Sequence, residues 1–269
     1  MALNSADERV ICYFEIPSVT DSGSIETWLH CVKQGDTLSD IYSQFLPTTT
    51  SLDDASLTLH IDEEDRIHLA YYAPGEGVLY YVQLDKDGTP LTTPEWVDEN
   101  AGEDNFLSGS VDSEGRFHLC YAIDSTELQH AERDVDGDWD IDEILEEVTM
   151  GDCAIQIDTE DNFHLLVTDR GADELLYASG EDGDWSEFSP LSITGEVSRT
   201  FSSYLDPLGG LHVAFETSEP DLVQHGLVNA SLFTIVVDGL ASDPTVTADS
   251  TGRPHLFVFD ESGTIKHGN

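Results

Sequence analysis

The sequence predicts an all-β fold, a six-bladed β-propeller whose blades are four-stranded antiparallel sheets. Three observations carry this expectation. One motif recurs with a period of roughly 45 residues, Asp-Gly pairs separate runs of alternating hydrophobicity, and no stretch has the three-and-four apolar spacing of an amphipathic helix. Radial repetition of four-stranded units limits exposed sheet edges, and six such units account for 269 residues.

The first element of each unit is an Asp followed six residues later by a His: Asp62 to His68 (DEEDRIH), Asp112 to His118 (DSEGRFH), Asp158 to His164 (DTEDNFH), Asp206 to His212 (DPLGGLH) and Asp249 to His255 (DSTGRPH). Leu or Val follows each His, and Tyr71, Tyr121, Val167, Phe215 or Val258 stands three positions beyond it, a period-two strand pattern. The next strand reads LYYV at 79–82, LQHA at 128–131, LLYA at 175–178, VQHG at 223–226 and IKHG at 265–268, with Tyr or His always third. A worn copy opens the chain, with Ser5 in the Asp slot, Ile11 in the His slot and His30 in the Tyr/His slot. Turns rich in Asp and Gly (LDKDGTP, DVDGDWD, GEDGDWS) then lead to an outer strand marked by Trp96, Trp139 or Trp185. One domain is expected, with repeats near 1–50, 51–101, 102–148, 149–195, 196–240 and 241–269. The sixth shows only three strands, and residues 1–5 are left to serve either as its outer strand or as the inner strand of the first unit.

The unit S-x-x-x-D-x-x-G-x-x-H-[LV]-x-[YF], followed by L-x-[YH]-[AG] and D-G-x-W, resembles the bacterial propeller repeats described as BNR-like or sialidase-like, over essentially the whole chain. The resemblance implies the fold and leaves function open, because such repeats serve hydrolases, lyases and lectins alike. A sialidase would bring an arginine triad, an acid and a nucleophilic Tyr. Here Arg9, Arg66, Arg116 and Arg253 share one turn position in four repeats, and we read them as scaffolding.

The charge balance narrows the partners. Fifty-five acidic against 10 basic residues give a formal net charge of −45, which repels nucleic acid and anionic membranes, and no apolar run is long enough to span a bilayer. Such a surface favours cations and basic proteins, or serves solubility in salt-rich surroundings. A monomer with a carbohydrate or protein ligand is expected. The opening residues carry no secretory signal, which leaves the compartment open, an extracellular or cell-surface place included. Four dispersed cysteines form no CxxC pair; Cys12 and Cys31 fall on neighbouring strands, where buried thiols are favoured over a disulfide.

Among the candidate residues, the Asp/His pair reads as structure, since a catalytic dyad is needed once and this pair occurs five times. The Asp is expected to accept backbone N–H bonds in its turn and the His to be buried with both nitrogens satisfied. Free exchange of Tyr for His in the next slot argues against metal coordination there. Alternate carboxylates at Asp134, Asp136 and Asp138 resemble a calcium loop, calcium being the one cofactor considered, or else charges that protect an edge strand. Function is sought where the repeat breaks, in the loops near 15–27, 47–56, 73–78, 98–106, 123–127, 168–174, 194–201, 216–221 and 260–264. Arg170 and Arg199, with Asp169 and Asp173 nearby, have no counterpart in other repeats and are the candidate ligand-binding residues. The expectation is a non-catalytic binding or scaffolding propeller. The alternatives are a sialidase-like or other glycan-processing enzyme and a calcium-dependent surface protein.

Overall fold

The structure is a computed structural model, and it describes residues 2–3, 5–6, 8–19, 25–34, 38–49, 56–73, 77–99, 101, 106–123, 125–181, 183–193, 195–218, 221–228, 232–238, 241–249, 251–260 and 264–268. Among them there is no α-helix, and the strands form six open antiparallel sheets. The chain divides into two compact units, Met1–Asp124 with Leu128–Glu143, and Ser125–Glu127 with Ile144–Asn269.

The first unit holds three sheets, each running in chain order from one edge to the other. They are β1 (Ala2–Leu3), β2 (Arg9–Val19), β3 (Ile25–Gln34) and β4 (Leu38–Thr49); β5 (Leu57–Ile61), β6 (Ile67–Ala73), β7 (Val78–Leu84) and β8 (Glu95–Asp98); and β9 (Leu107–Val111), β10 (Phe117–Ile123), β11 (Glu127–Arg133) and β12 (Trp139–Leu145). The second unit holds β13 (Met150–Ile157), β14 (Asn162–Asp169), β15 (Glu174–Glu181), β16 (Asp184–Trp185) and β17 (Ser189–Pro190); β18 (Val197–Leu205), β19 (Leu211–Ser218), β20 (Asp221–Leu227) and β21 (Leu232–Asp238); and β22 (Ala241–Ala248), β23 (Pro254–Asp260) and β24 (Ile265–Gly268).

The fourth sheet departs from the expected unit of four strands, and the sixth keeps the three that its sequence shows. In the fourth sheet the outer edge breaks into β16 and β17, which both pair with β15. Pro190 has no N–H to continue a ladder, which fits so short a segment. The sixth sheet shows three strands. At the start of the chain Ala2 and Leu3 pair with Val10 and Arg9, so this segment is the inner strand of the first sheet. The first hairpin is longer than expected, with strand reaching Val19 on one arm and starting at Ile25 on the other, inside the supposed 15–27 loop.

Successive sheets within a unit bury apolar faces against each other, which follows from strands alternating inward and outward. In the first unit Val10 and Leu29 pack with Leu69, Tyr71, Val82 and Leu84, while Leu79 and Tyr81 pack with Phe117, Leu119 and Tyr121. In the second, Leu166 and Leu175 meet Val213 and Phe215, and Ala214 and Val223 meet Val246, Leu256 and Val258. Full burial of one such side chain stabilises by about 1.5–3 kcal/mol.

One expectation about cysteine is corrected. Cys12 and Cys31 form a disulfide, and Cys120 and Cys153 are buried thiols. The two bridged residues are direct register partners on β2 and β3 with Cα atoms 4.1 Å apart, the close approach of a non-hydrogen-bonded antiparallel pair. Leu69 and Val82, both fully buried, are the register pair one residue beyond His68 in the second sheet. The disulfide thus occupies a core position of the first sheet, beside the slot where Ile11 replaces His. Bridging residues 19 apart in sequence constrains the unfolded chain by about 3 kcal/mol. Reduction, or Cys12→Ser with Cys31→Ser, is expected to lower stability by about that amount in urea unfolding monitored by tryptophan fluorescence.

Candidate functional site

The five Asp/His motifs fold alike. Each Asp N–H donates to the carbonyl of the residue four positions on, and the N–H three positions on donates back to the Asp carbonyl. This turn requires a positive φ at its fourth position: 61° at Asp65, 81° at Gly115, 61° at Asp161, 82° at Gly209 and 78° at Gly252. Gly adopts that conformation freely, and Asp is one of the few other residues that tolerate it. Oδ1 of each Asp then accepts the N–H groups two and four positions on, at 2.7–3.2 Å.

The second carboxylate oxygen receives side chains. Asp62 Oδ2 accepts from Arg66 Nε at 2.6 Å and His68 Nε2 at 3.0 Å. Asp112 Oδ2 does so from Arg116 Nε at 2.6 Å and His118 Nε2 at 3.3 Å, and Asp206 Oδ2 from His212 Nε2 at 3.0 Å. In the fourth sheet Asn162 Nδ2 takes that oxygen of Asp158 at 2.9 Å, and His164 Nε2 stands off at 3.8 Å, the same separation as between His255 and Asp249.

A carboxylate only accepts, so each bonded Nε2 carries the hydrogen, and the neutral ring turns a bare Nδ1 to the next strand. That lone pair needs one donor. The Tyr81 hydroxyl supplies it to His68 at 2.8 Å and the Tyr177 hydroxyl to His164 at 2.8 Å. His130 Nε2 meets His118 at 3.1 Å, His225 meets His212 at 3.1 Å, and His267 meets His255 at 3.0 Å. Tyr and His are interchangeable in this slot because each brings one polar hydrogen to the same place. In the first sheet, where Ile11 removes the partner, His30 bonds Ser43 Oγ and Glu15 Oε2, both at 2.8 Å. Ser5, in the Asp slot, donates through its N–H and hydroxyl to Asp65, both at 2.6 Å.

Burial pushes His130 down to about 3 and His225 to about 4, with the neighbouring imidazoles adding to the effect, and burial brings His60 on β5 down to about 4. Burial works against ionisation of Asp112 too, but His118 and the Arg116 N–H groups carry it down to about 2. At His68, His118 and His212 the motif is therefore an imidazole held between a carboxylate and a partner on the next strand.

The acidic run is used by its own hairpin. Asp134 Oδ1 accepts Gly137 N–H at 2.7 Å and Asp138 N–H at 2.8 Å in the β11–β12 turn, as Asp85 accepts Asp87 and Thr89 at 2.9 and 2.8 Å in the β7–β8 turn. Asp136 lies at the tip of the same turn. Among the described residues no group of three or more His, Cys, Asp or Glu side chains is placed to hold a metal ion.

The loop end of the second unit carries the remaining candidates. Met150 pairs with Asp169, so the start of β13, the end of β14 and the turn at 170–173 lie together. The turn is tied to its surroundings by backbone bonds: Arg170 N–H to Thr149 O at 2.6 Å, and Val197 N–H to Asp173 O at 3.0 Å. Asp173 holds a φ of 56°. Asp169 Oδ1 accepts the N–H groups of Gly171 at 2.8 Å and Ala172 at 3.3 Å. Asp169 thus serves the turn, and Arg170 forms no ion pair among the described residues. Arg199 stands on β18, and its side chain lies outside the described residues, as do the loop positions 20–24, 50–55, 74–76, 102–105, 219–220 and 261–263.

Two features escape motif reading. Glu95 accepts from Arg133 Nε and, at 3.2 Å, from Trp139 Nε1, while the Arg133 guanidinium lies 5.1 Å from the centre of the Tyr81 ring. These residues come from four strands of two sheets with no shared spacing. Asp152 is half-buried at the opening of β13, and desolvation pushes its carboxyl up to about 7 against the N–H bonds of Cys153 and Phe201. Register places Ser56, Phe106 and Thr200 at the corresponding positions of other sheets, so the lone acid was visible only by aligning the repeats strand by strand.

No family model matches the chain, and no curated protein matches it. Solved structures do. A mutant of AofleA from Arthrobotrys oligospora is 12% identical with a TM-score of 0.62, covering 97% of this chain and 85% of that one. SapL1 lectin in complex with alpha methyl fucoside is 7% identical with a TM-score of 0.56, covering 94% and 91%. A Hadza microbial sialidase is 14% identical with a TM-score of 0.55, covering 95% of this chain and 65% of its own. Likeness at such identity shows the fold alone, which is of propeller type.

Two outcomes test the hydrogen-bonded motif. Tyr81→Phe keeps the ring and removes the donor, and is expected to cost about 1–3 kcal/mol in urea unfolding, with Tyr81→His recovering part of the loss. The depressed histidines bind fewer protons folded than unfolded, so their stabilisation is complete above about pH 6.5 and is lost as pH falls toward 3–4. Melting temperature followed downward from pH 7 should begin to drop near pH 6.5, before any carboxylate titrates at its ordinary value.

Proposed function

We propose that this chain is a non-catalytic carbohydrate-binding propeller, its six sheets the six blades of a single ring and the loop end of those sheets its binding face. The observation that carries the reading is Arg170: a cation on the 170–173 turn of a chain with net charge −45, whose sequence neighbour Asp169 is committed to backbone N–H groups. An arginine fork offers several donors in one plane, which suits sugar hydroxyls and acidic sugar substituents. The propeller-type likeness to a lectin bound to a fucoside supports the same direction. So does the engagement of Arg66, Arg116 and Arg133 with Asp62, Asp112 and Glu95, which takes these three out of a sialidase-like arginine triad. The repeat pattern, set beside neighbours that cover nearly the whole chain, supports one ring of six blades and the BNR-like kinship of the unit. A structural disulfide favours a place outside the reducing cytoplasm, where extracellular glycans are met.

A glycan array probed with the full chain, followed by calorimetric titration of the best ligand, tests this. Arg170→Ala is expected to weaken binding tenfold or more with the melting temperature unchanged. Absence of any glycan binding, or equal affinity in the variant, would overturn the reading, and release of sugar from the array would move the chain to the glycan-processing enzymes.

A further inference from the structure

We propose that β15 is a salt-dependent strand, held firmly to its neighbours only where mobile cations screen the acid pairs that close the hairpins at its two ends. The β14–β15 hairpin closes on Asp169 opposite Glu174, and the β15–β16 hairpin on Glu181 opposite Asp184. Register partners of an antiparallel pair hold their Cβ atoms about 4.5–5.5 Å apart, and like charges so placed destabilise the pairing. Other hairpins close on neutral pairs: Ala73 faces Val78, Gln34 faces Leu38, Leu227 faces Leu232 and Phe259 faces Ile265. The outer edge adds little to hold β15. Its contact with β16 is two register pairs, Gly180 with Trp185 and the acid pair itself, and its contact with β17 is two more.

The sequence around the pairs adds to their charge. Between Asp158 and Glu187 it has ten acids and one base, Arg170, which forms no ion pair among the described residues. Glu174, Glu181 and Asp184 are exposed, where a carboxyl is ionised at neutral pH. Asp169 spends Oδ1 on the Gly171 and Ala172 N–H groups, a role that suits an ionised acceptor. Relief is left to the solvent. The Debye length is about 10 Å at 0.1 M salt and about 3 Å at 1 M, and the spacing within each pair lies between the two. Repulsion across the pairs therefore persists at ordinary ionic strength and is damped at molar salt, by diffuse ions of any kind. The effect reaches the core, because Leu175 is fully buried and packs with Val213 and Phe215 of the next sheet.

The test compares the full chain with its Glu174→Gln, Asp184→Asn double variant, which leaves one acid in each pair, in KCl from about 20 mM to about 2 M. Hydrogen–deuterium exchange of the β15 amides, referred to those of β10, is read beside the melting temperature. We expect wild-type β15 protection to rise about tenfold or more across the range, the variant to be protected already at low salt with a melting temperature several degrees higher, and the two proteins to converge at high salt. A variant that matches wild type at low salt, or whose advantage is the same at both ends, overturns the proposal. So does full protection of wild-type β15 by CaCl2 equimolar with the protein at low salt, which would mean a bound ion in place of screening. Should wild type unfold at low salt, the KCl concentration at half-folding, read by circular dichroism, decides: a lower value for the variant supports the proposal, and an equal one overturns it.

Discussion

The structure depends on how one carboxylate is divided. In five sheets an Asp gives one oxygen to the backbone of its turn, and in three of them, at Asp62, Asp112 and Asp206, the other oxygen goes to the His of the next strand, so a single side chain closes the corner and orients the imidazole behind it. Because that acid is ionised and only accepts, the tautomer of the His follows, and with it the requirement for a donor one strand further on. Turn, second strand and third strand are thereby set in register by hydrogen bonds of fixed direction. Leaving one of these groups unpaired in a buried place costs more than the bond itself contributes, which is what gives the arrangement its selectivity for register.

The departures from this scheme are informative. Where the second oxygen of Asp158 goes to Asn162, the ring of His164 keeps its bond to Tyr177 and loses close contact with the acid. Where the His is absent, in the first sheet, a disulfide joins the same two strands one residue further along. The first sheet therefore holds β2 to β3 covalently, and the other five hold the equivalent strands by polar contacts.

Much of this was legible in the sequence because period-two strands and an Asp spaced six residues from a His have local physical causes. Asp62, Asp112, Asp158, Asp206 and Asp249 could be assigned to turns, and His68, His118, His164, His212 and His255 to strand interiors, from spacing alone. What spacing could not supply was partnership across strands. The Cys12–Cys31 bond depends on register, which one residue of slip would have abolished. Asp152 looked like one acid among 55, and only its desolvation and the Phe201 N–H that it accepts distinguish it. In the acidic run around Asp134, likewise, spacing did not show that one oxygen of the leading carboxylate accepts two N–H groups of its own hairpin.

The slot shared by Tyr81, His130, Tyr177, His225 and His267 has a consequence at the level of inheritance. Codons for Tyr and His differ by one base, so a blade passes from one residue to the other in a single step and never goes through a side chain that lacks the polar hydrogen. The repeats can therefore drift apart in identity at this position while the Nδ1 of the facing imidazole keeps its partner.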